Sequence, residues 1–236
     1  MNEETLLNNV INYLHDRIFI NHITNSLEEH SKLDSYKINP ILVKYLSKVL
    51  DNNFTPLGIA KALYYPRVLG TSITTSFGTR IQSMFVELGM AQGSLIAEMD
   101  IEFTDKIDGR NKWCQLKAGP NTINSGDVNP LIRKFNKVAN LGRTNHKHLR
   151  NSDLILGIIY GEEAQLSQHY RVIDKTFPVI IGKEFWHRIT EFSEFYPKLL
   201  FNINDSILKL ETGDFFRKGY LRLADEIEKS ELFDFE

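Results

Sequence analysis

The sequence from Glu98 to Lys117 constrains the fold of this chain more than any other part. Polar and apolar residues alternate on both sides of Asp108-Gly109, as they do in two adjacent β-strands. The Asp-Gly pair is typical of a two-residue hairpin turn, because such turns need positive φ at both central positions. The sequence therefore predicts an antiparallel hairpin whose turn is centred on Asp108 and Gly109.

A two-residue turn at this place determines which side chains face each other. Asp100 then lies opposite Lys117, and Glu102 lies opposite Gln115. Because side chains alternate between the faces of a strand, one face carries the acids and the lysine. Its members are Glu98, Asp100, Glu102, Trp113, Gln115 and Lys117. The other, an apolar core face, carries Ala97, Met99, Ile101, Phe103, Cys114 and Leu116.

Acids beside a lysine are the groups that metal-dependent cleavage of a phosphodiester uses. Carboxylates hold a hard cation, and an ammonium group stabilises anionic charge. The same pairs also occur on ordinary solvated hairpins, where each stabilises by roughly 0.2–1 kcal/mol. The segment from Ala118 to Asp127 favours the first interpretation, because its small and polar residues suit close approach to a ligand backbone.

Charge is distributed unevenly along the chain. A net charge of −2 over 236 residues excludes a general, strongly basic coat for nucleic acid. From Val128 to Ser152, however, there is no acidic residue, and basic residues are frequent. They are Arg133, Lys134, Lys137, Arg143, Lys147 and Arg150, interleaved with His146 and His148. We expect this segment and the acidic cluster to line one groove, the alternative being a basic helix and loop without a partner.

Cysteine content and hydropathy bear on the compartment. Cys114 is the single cysteine, which excludes an internal disulfide and a cysteine-based zinc cluster and fits a reducing compartment. The chain starts with acidic residues, and no apolar run approaches the length of a membrane span. We therefore expect a cytoplasmic protein that does not contact membranes.

Helical spacing dominates both ends of the chain. The sequence predicts a helical N-terminal part over 1–69, a core with the candidate site over 70–182 and C-terminal helices over 183–236. Tyr64-Tyr65-Pro66-Arg67 is expected to break the helical pattern of the N-terminal part. All three parts are expected to pack as one compact unit.

Within the core, a helix is predicted to end at Gly89, before the hairpin. A second helix is predicted from about Asp127 to Leu141, with Ser125 or Asp127 as its cap and Gly142 as its end. The apolar run from Asp153 to Tyr160 predicts a strand that is buried on both faces. Further edge strands are expected at 170–173 and 177–181.

The order helix, hairpin, helix, strand resembles that of the PD-(D/E)XK nuclease superfamily. Met99-Asp100 followed by Gln115-Leu116-Lys117 resembles its motif, with Met in place of Pro and Gln in place of the second acid. The run from Gln115 to Asn124, with Gly78–Gln82 and Asp100–Glu102, resembles type II restriction endonucleases that cut interrupted GGNCC-type palindromes. The similarity covers about residues 70–160. It implies an α/β (α+β) fold with a central mixed β-sheet flanked by helices, and helical additions at both ends.

The resemblance also implies roles for the motif residues. Asp100 is the expected anionic ligand of Mg²⁺, with Mn²⁺ as the expected substitute. Gln115 offers a neutral side-chain oxygen, and the Leu116 carbonyl is a further ligand. Lys117 is expected to position the attacking water. The products are expected to carry 5′-phosphate ends.

An amide in place of a carboxylate weakens cation binding, so another acid is expected to compensate for Gln115. Glu102 is the first choice, because the hairpin register places it opposite Gln115. Glu98 on the same face and Glu87 on the preceding helix are the alternatives. Gln82 is a further polar residue expected near the metal.

Recognition of double-stranded DNA is expected from the segment after the lysine and from the basic helix. The candidates are Asn121, Thr122, Asn124, Arg133, Lys134, Lys137 and Arg143. Loop capping and solvent exposure are the alternative for each of them. A palindromic target implies a two-fold homodimer, with the terminal helices as candidate dimerisation elements. A cognate DNA methyltransferase in the same bacterial or archaeal cell is the expected functional partner.

Two other functions remain open at this stage. A repair or recombination nuclease would share the metal site but recognise DNA shape. A non-enzymatic DNA-binding protein would carry Gln115 as the mark of a decayed site.

Overall fold

The computed structural model describes residues 1–144 and 149–230. Its contacts divide the chain into two compact units, one formed by Met1–Asn12 and Gly78–Ser206, the other by Tyr13–Phe77 and the chain from Ile207 onward. These bounds differ from the expected 1–69, 70–182 and 183–236. The N-terminus belongs to the first unit, where the Lys198 ammonium lies 2.5 Å from the Glu3 carboxylate. The predicted basic residues His146, Lys147 and His148 and the side chain of Arg143 lie outside the described residues.

The first unit contains the predicted mixed sheet. Its strands are β1 (Gln92–Gly93), β2 (Ile101–Thr104), β3 (Asn111–Lys117), β4 (Leu154–Ile158) and β5 (Val179–Ile181), in the order β1-β2-β3-β4-β5. The pairs β1–β2 and β2–β3 are antiparallel. The pairs β3–β4 and β4–β5 are parallel, so the carboxyl ends of β3 and β4 lie at the same edge of the sheet.

Ten α-helices occur in the described part of the chain. They are α1 (Glu3–Tyr13), α2 (Asn21–Glu29), α3 (Pro40–Asp51), α4 (Pro56–Pro66), α5 (Ile73–Glu87), α6 (Ser125–Thr144), α7 (Gln168–Asp174), α8 (Gly182–Thr190), α9 (Phe195–Leu208) and α10 (Phe215–Glu228). Each of these helices is too short or too polar to cross a lipid bilayer.

Helices pack against both faces of the sheet. Trp113 and the buried residues Leu154 and Leu156 pack against α6 and α7 in one apolar cluster. On the opposite face, a Cβ atom added at Gly157 would lie 2.5 Å from the Phe185 ring and 2.8 Å from Cys114 Sγ. Glycine at this position therefore allows α8 to pack closely on the sheet.

The core face of the hairpin is shorter than predicted. Ile101, Phe103 and Cys114 are buried as expected, but Ala97 is exposed. Met99 packs into the cluster beneath α6 instead. Regular alternation begins only at Ile101, because β2 starts there and the preceding residues form a loop.

Three predictions about local structure are wrong. Residues 170–173 belong to α7 and not to a strand, since Tyr170 and Ile173 are both buried at helical spacing. Helix α6 continues past Gly142, which packs against Leu149. Pro66 does not interrupt the helical backbone. A π-helical turn over Arg67–Ser72 follows it directly, and such turns accommodate irregular backbone hydrogen bonding.

The hairpin is confirmed, but its register differs from the prediction by two residues. Ile101 pairs with Cys114, and Glu102 pairs with Trp113. The turn is wider than two residues because the Asp105 carboxylate accepts hydrogen bonds from Ile107 N at 2.8 Å and Asp108 N at 3.4 Å. A shift of two residues leaves every side chain on its predicted face, since side-chain direction in a strand has a period of two.

A buried network of charges holds the turn end of the hairpin. Lys112 is only 2% exposed, and its ammonium lies 2.6 Å from Asp108 and 3.5 Å from Asp153. Asp153 also accepts hydrogen bonds from Arg110, and Asp105 accepts one from Arg188. Burial raises the pKa of Asp153, but the Arg110 hydrogen bond and the nearby positive charges outweigh it, so that this pKa lies below its usual value.

The second unit is helical, as predicted. Asn39 caps α3 by accepting hydrogen bonds from Ile41 N and Leu42 N. Thr55 caps α4 by accepting a hydrogen bond from Gly58 N at 2.9 Å. These caps satisfy main-chain donors that have no partner within a helix.

Candidate active site

Asp100 lies directly before β2 and against β3. Its main-chain N–H donates to the Cys114 carbonyl at 3.0 Å, and its carboxylate Oδ2 accepts from Leu116 N at 2.7 Å. Continuing the observed register by one residue places Asp100 opposite Gln115, and not opposite Lys117 as predicted. Lys117 lies two residues further along β3 and therefore on the same face.

Gln115 has a buried side-chain oxygen with no partner. The residue is 8% exposed, and its Oε1 accepts no hydrogen bond in the described part of the chain. A buried acceptor left in this state costs about 1–3 kcal/mol unless a ligand satisfies it. The unsatisfied Gln115 Oε1 thus points to a cation or a hydrogen-bond donor beside Asp100.

The oxygen atoms around this point fit Mg²⁺. Asp100 supplies a carboxylate, and Gln115 supplies an amide oxygen. The Leu116 carbonyl points toward the Asp100 side of β3, because the N–H and C=O of one strand residue point to the same side. Hard divalent cations prefer such oxygen ligands and retain several waters. No cluster of three histidine, cysteine, aspartate or glutamate residues suited to a metal occurs among residues 1–144 and 149–230.

Lys117 ends β3 beside the carboxyl end of β4, where it pairs with Ile158. The side chain is half-buried, and its ammonium group makes no ion pair or hydrogen bond with the described residues. The lysine charge is therefore available to a bound anion at this edge of the sheet.

Glu102 does not face Gln115, so the reason for preferring it as the compensating acid no longer holds. It pairs with Trp113. Its Oε1 accepts hydrogen bonds from Ser94 Oγ at 2.7 Å and from Leu95 N at 3.1 Å. These contacts hold the Glu102 carboxylate against the loop that follows β1.

Glu98 instead points toward α6. One carboxylate oxygen lies 3.2 Å from the Lys137 ammonium and the other 3.6 Å from that of Lys134. The hydrogen bond from Lys137 is the main reason that the pKa of Glu98 lies below its usual value. The φ of Glu98 is +93°, a strained conformation for a residue with a side chain, which costs of order 1 kcal/mol and is typical of functional sites.

The two residues proposed on α5 lie in different surroundings. Gln82 Nε2 donates to the Asp100 carbonyl at 2.9 Å, so this side chain helps to hold the segment that carries Asp100. Glu87 is exposed at the C-terminal end of α5. Gln82 therefore has a direct contact with the segment that carries the candidate site.

Two of the predicted DNA-binding residues have structural roles in the loop after β3. Thr122 Oγ1 bonds to the Gly119 carbonyl at 3.1 Å and to the Tyr170 hydroxyl at 2.8 Å. Asn124 caps α6 by accepting from Gly126 N at 2.8 Å, so the cap is not Ser125 or Asp127 as predicted. Both residues thus make the loop-capping contacts that were the alternative to a role in DNA binding.

The remaining DNA-binding candidates with described side chains are accessible to solvent. Asn121, Arg133 and Lys137 are exposed, and Lys134 is partly so. Sequence patterns did not predict that Tyr160 packs against this loop. A Cβ atom added at Gly119 would lie 2.4 Å from the Tyr160 ring, which explains the glycine in the run after Lys117.

A cavity of about 620 Å³ lies away from these residues. It is lined by both apolar and charged side chains, among them Val179, Leu200 and Arg188. None of the residues predicted for the site lines it. An edge open to solvent, and not an enclosed cavity, is the geometry that a DNA backbone requires.

The mixed sheet, with Asp100 before β2 and Gln115 and Lys117 in β3, is the arrangement of the restriction-endonuclease-like class of proteins. Residues 9–210 of the chain match the family described as type II restriction endonuclease EcoO109I. Because this match covers most of the 236 residues, the chain belongs to that family. No curated protein matches the chain.

Proposed function

We propose that this protein is a type II restriction endonuclease that hydrolyses phosphodiester bonds in double-stranded DNA with Mg²⁺, in the cytoplasm of a bacterial or archaeal cell. Its target is a short, interrupted, GC-rich palindrome of the GGNCC kind, and the products carry 5′-phosphate ends. The observation that supports this most directly is the unpartnered, buried Gln115 Oε1 beside Asp100, on the face that also carries Lys117.

In this proposal Asp100, Gln115 Oε1 and the Leu116 carbonyl hold the cation. When bound, Mg²⁺ or Mn²⁺ supplies a Lewis acid that neutralises charge on the scissile phosphate. Lys117 donates hydrogen bonds to the attacking water and to the phosphate oxygens, where negative charge develops. Gln82 keeps the Asp100 main chain in place through its hydrogen bond.

DNA binding would use the exposed surface that follows the site along the chain. Asn121 and Arg133 are exposed and suited to hydrogen bonds with base edges. Lys134 and Lys137 are suited to phosphates, which bind lysine as a point charge. Thr122 and Asn124 would act by shaping the loop.

A palindromic target calls for two copies related by a two-fold axis. Helix α3 of the second unit carries a continuous stripe of exposed apolar residues, unusual for the surface of a monomer. They are Ile41, Leu42, Tyr45, Leu46, Val49 and Leu50. We propose that the stripes of two copies pack against each other in the homodimer.

Replacing Tyr45 with glutamate is expected to weaken the dimer by about 30-fold or more, since it places a charge at the centre of an apolar contact. Analytical ultracentrifugation over a range of concentrations measures this. Leu69→Glu is the matched control, because Leu69 is also an exposed apolar residue but lies outside the stripe. A wild-type monomer, or a Tyr45→Glu dimer as tight as wild type, contradicts this interface.

Digestion of unmethylated phage DNA tests the proposed function. We expect discrete fragments with Mg²⁺ and none with a chelator, and sequencing of fragment ends then gives the target. Prior treatment of the DNA with the cognate methyltransferase is expected to prevent cutting. Nicks confined to branched or mismatched substrates would indicate a structure-specific repair nuclease, and no cutting with Mg²⁺ or Mn²⁺ would indicate a DNA-binding protein with a decayed site.

A further inference from the structure

Glu98 connects the loop that precedes Asp100 to the proposed DNA-binding surface. It lies in the loop two residues before Asp100, and it binds both Lys134 and Lys137 of α6. The two lysines are 40% and 62% exposed, so a DNA phosphate can reach them from solvent. Phosphate and Glu98 thus compete for the same cations.

Glu98 is also close enough to serve the cation site. Two residues of chain span at most about 7 Å, so the main chain of Glu98 stays near that of Asp100. Gln115 pairs with Leu156, and Leu156 packs against α6 in the same cluster as Trp113. Gln115 therefore faces the side of the sheet on which Glu98 meets its lysines.

The candidate cation site has less negative charge than a site with two acids, because Gln115 is neutral. Asp100 supplies one negative charge, whereas Gln115 supplies a buried and unpartnered but neutral oxygen. Among the other acids considered, Glu102 is held by Ser94 and Leu95 N. The contacts of Glu98 are with two lysines, and DNA phosphates can replace contacts of this kind.

We propose that Glu98 is a switched carboxylate that couples DNA binding to cation binding. Without DNA it neutralises Lys134 and Lys137. When phosphates bind these lysines, Glu98 is released toward Gln115 and adds the negative charge that the amide lacks. This inference rests on the proposed function and adds to it a reason why the cation is held tightly only when substrate is present.

The first test measures DNA binding by Glu98→Gln in the presence of a chelator. We expect binding about two- to five-fold tighter than wild type, because the lysines no longer lose an ion pair when DNA arrives. Glu194→Gln is the matched control, since Glu194 also pairs with a lysine, Lys183, at 2.6 Å. Weaker DNA binding by Glu98→Gln would mean that Glu98 only fastens α6 and would overturn the proposal.

The second test measures Ca²⁺ affinity by titration calorimetry, with and without a duplex that contains the target. Ca²⁺ binds the same oxygen ligands as Mg²⁺ and gives a readout independent of cleavage. In the DNA complex, Glu98→Gln is expected to weaken Ca²⁺ binding by about 10-fold, with little change in the free protein. Equal affinities for wild type and Glu98→Gln in the complex would overturn the proposal.

A double variant separates a charge effect from damage to the loop. Gln115→Glu restores an acid at the site, so it is expected to rescue Ca²⁺ binding and cleavage in Glu98→Gln. Failure of this rescue would overturn the charge argument. If wild type cuts DNA and only these results for Glu98 fail, the proposed role of Glu98 is wrong but the proposed endonuclease function is unaffected. If wild type does not cut DNA, the proposed function itself is wrong.

Discussion

Replacing Lys117 with alanine is expected to lower the rate of DNA cleavage by about 10²–10³-fold or more. The ammonium of Lys117 has no hydrogen-bond or ion-pair partner among the described residues, so under the proposed function the variant removes an interaction with substrate and no polar contact within the described part of the protein. DNA binding should remain measurable, because Asn121, Arg133 and the α6 lysines are unchanged. Single-turnover cleavage, with binding measured in parallel by gel shift, tests both expectations.

Asp100→Asn is the companion variant, since it keeps the shape of the side chain but removes its negative charge. It is expected to abolish cleavage at Mg²⁺ concentrations that saturate wild type. Lys106→Ala is the control, because Lys106 is an exposed lysine in the turn at the other end of the hairpin. Full cutting by Lys117→Ala or Asp100→Asn would reject the proposed site.

Replacing Lys112 with methionine is expected to lower the free energy of unfolding by about 3 kcal/mol. Lys112 is 2% exposed and lies between Asp105, Asp108 and Asp153. Methionine fills a similar volume but leaves buried carboxylates without this cation. Unfolding by urea, followed by circular dichroism, measures the loss.

The pKa of Asp153 determines the pH at which this unfolding experiment is made, and an exposed ion pair provides its control. Asp153 has a lowered pKa, so its ionised carboxylate stabilises the fold above the unfolded aspartate pKa of about 3.9, and this contribution is lost as the pH falls and the carboxylate is protonated. The measurement therefore belongs near pH 7. Lys198→Met removes a partly exposed ion pair and is expected to cost under about 1 kcal/mol. Equal losses for the two variants would mean that the buried network is not important for stability.

The hairpin shows which structural features a local sequence pattern can predict and which it cannot. The alternation from Glu98 to Lys117 predicted a hairpin and the shared face of Asp100, Gln115 and Lys117. The predicted register was wrong, because the residue pattern around Asp108-Gly109 does not show that the Asp105 carboxylate accepts a hydrogen bond from Ile107 N in the turn. As a consequence Glu102 was chosen to face Gln115, whereas it pairs with Trp113.

Other differences have a similar cause. The β-branched and aromatic residues at 170–173 favour a strand, yet burial of Tyr170 and Ile173 against α6 and the sheet stabilises a helix. Gly142 looks like a helix end, but the close approach of Leu149 requires a residue without a side chain there. In both cases a tertiary contact outweighs a local preference.

The alternation of residues was enough to predict the set of side chains that share one face of the hairpin, and the family resemblance implied the mixed sheet with helices. The shared face depends on spacing along the chain, and it survives a register shift of two residues. The partners of Glu98, the burial of Gln115 Oε1 and the charges around Lys112 depend instead on the tertiary structure. Such contacts join residues that are far apart in the sequence, and packing alone brings them within reach of one another.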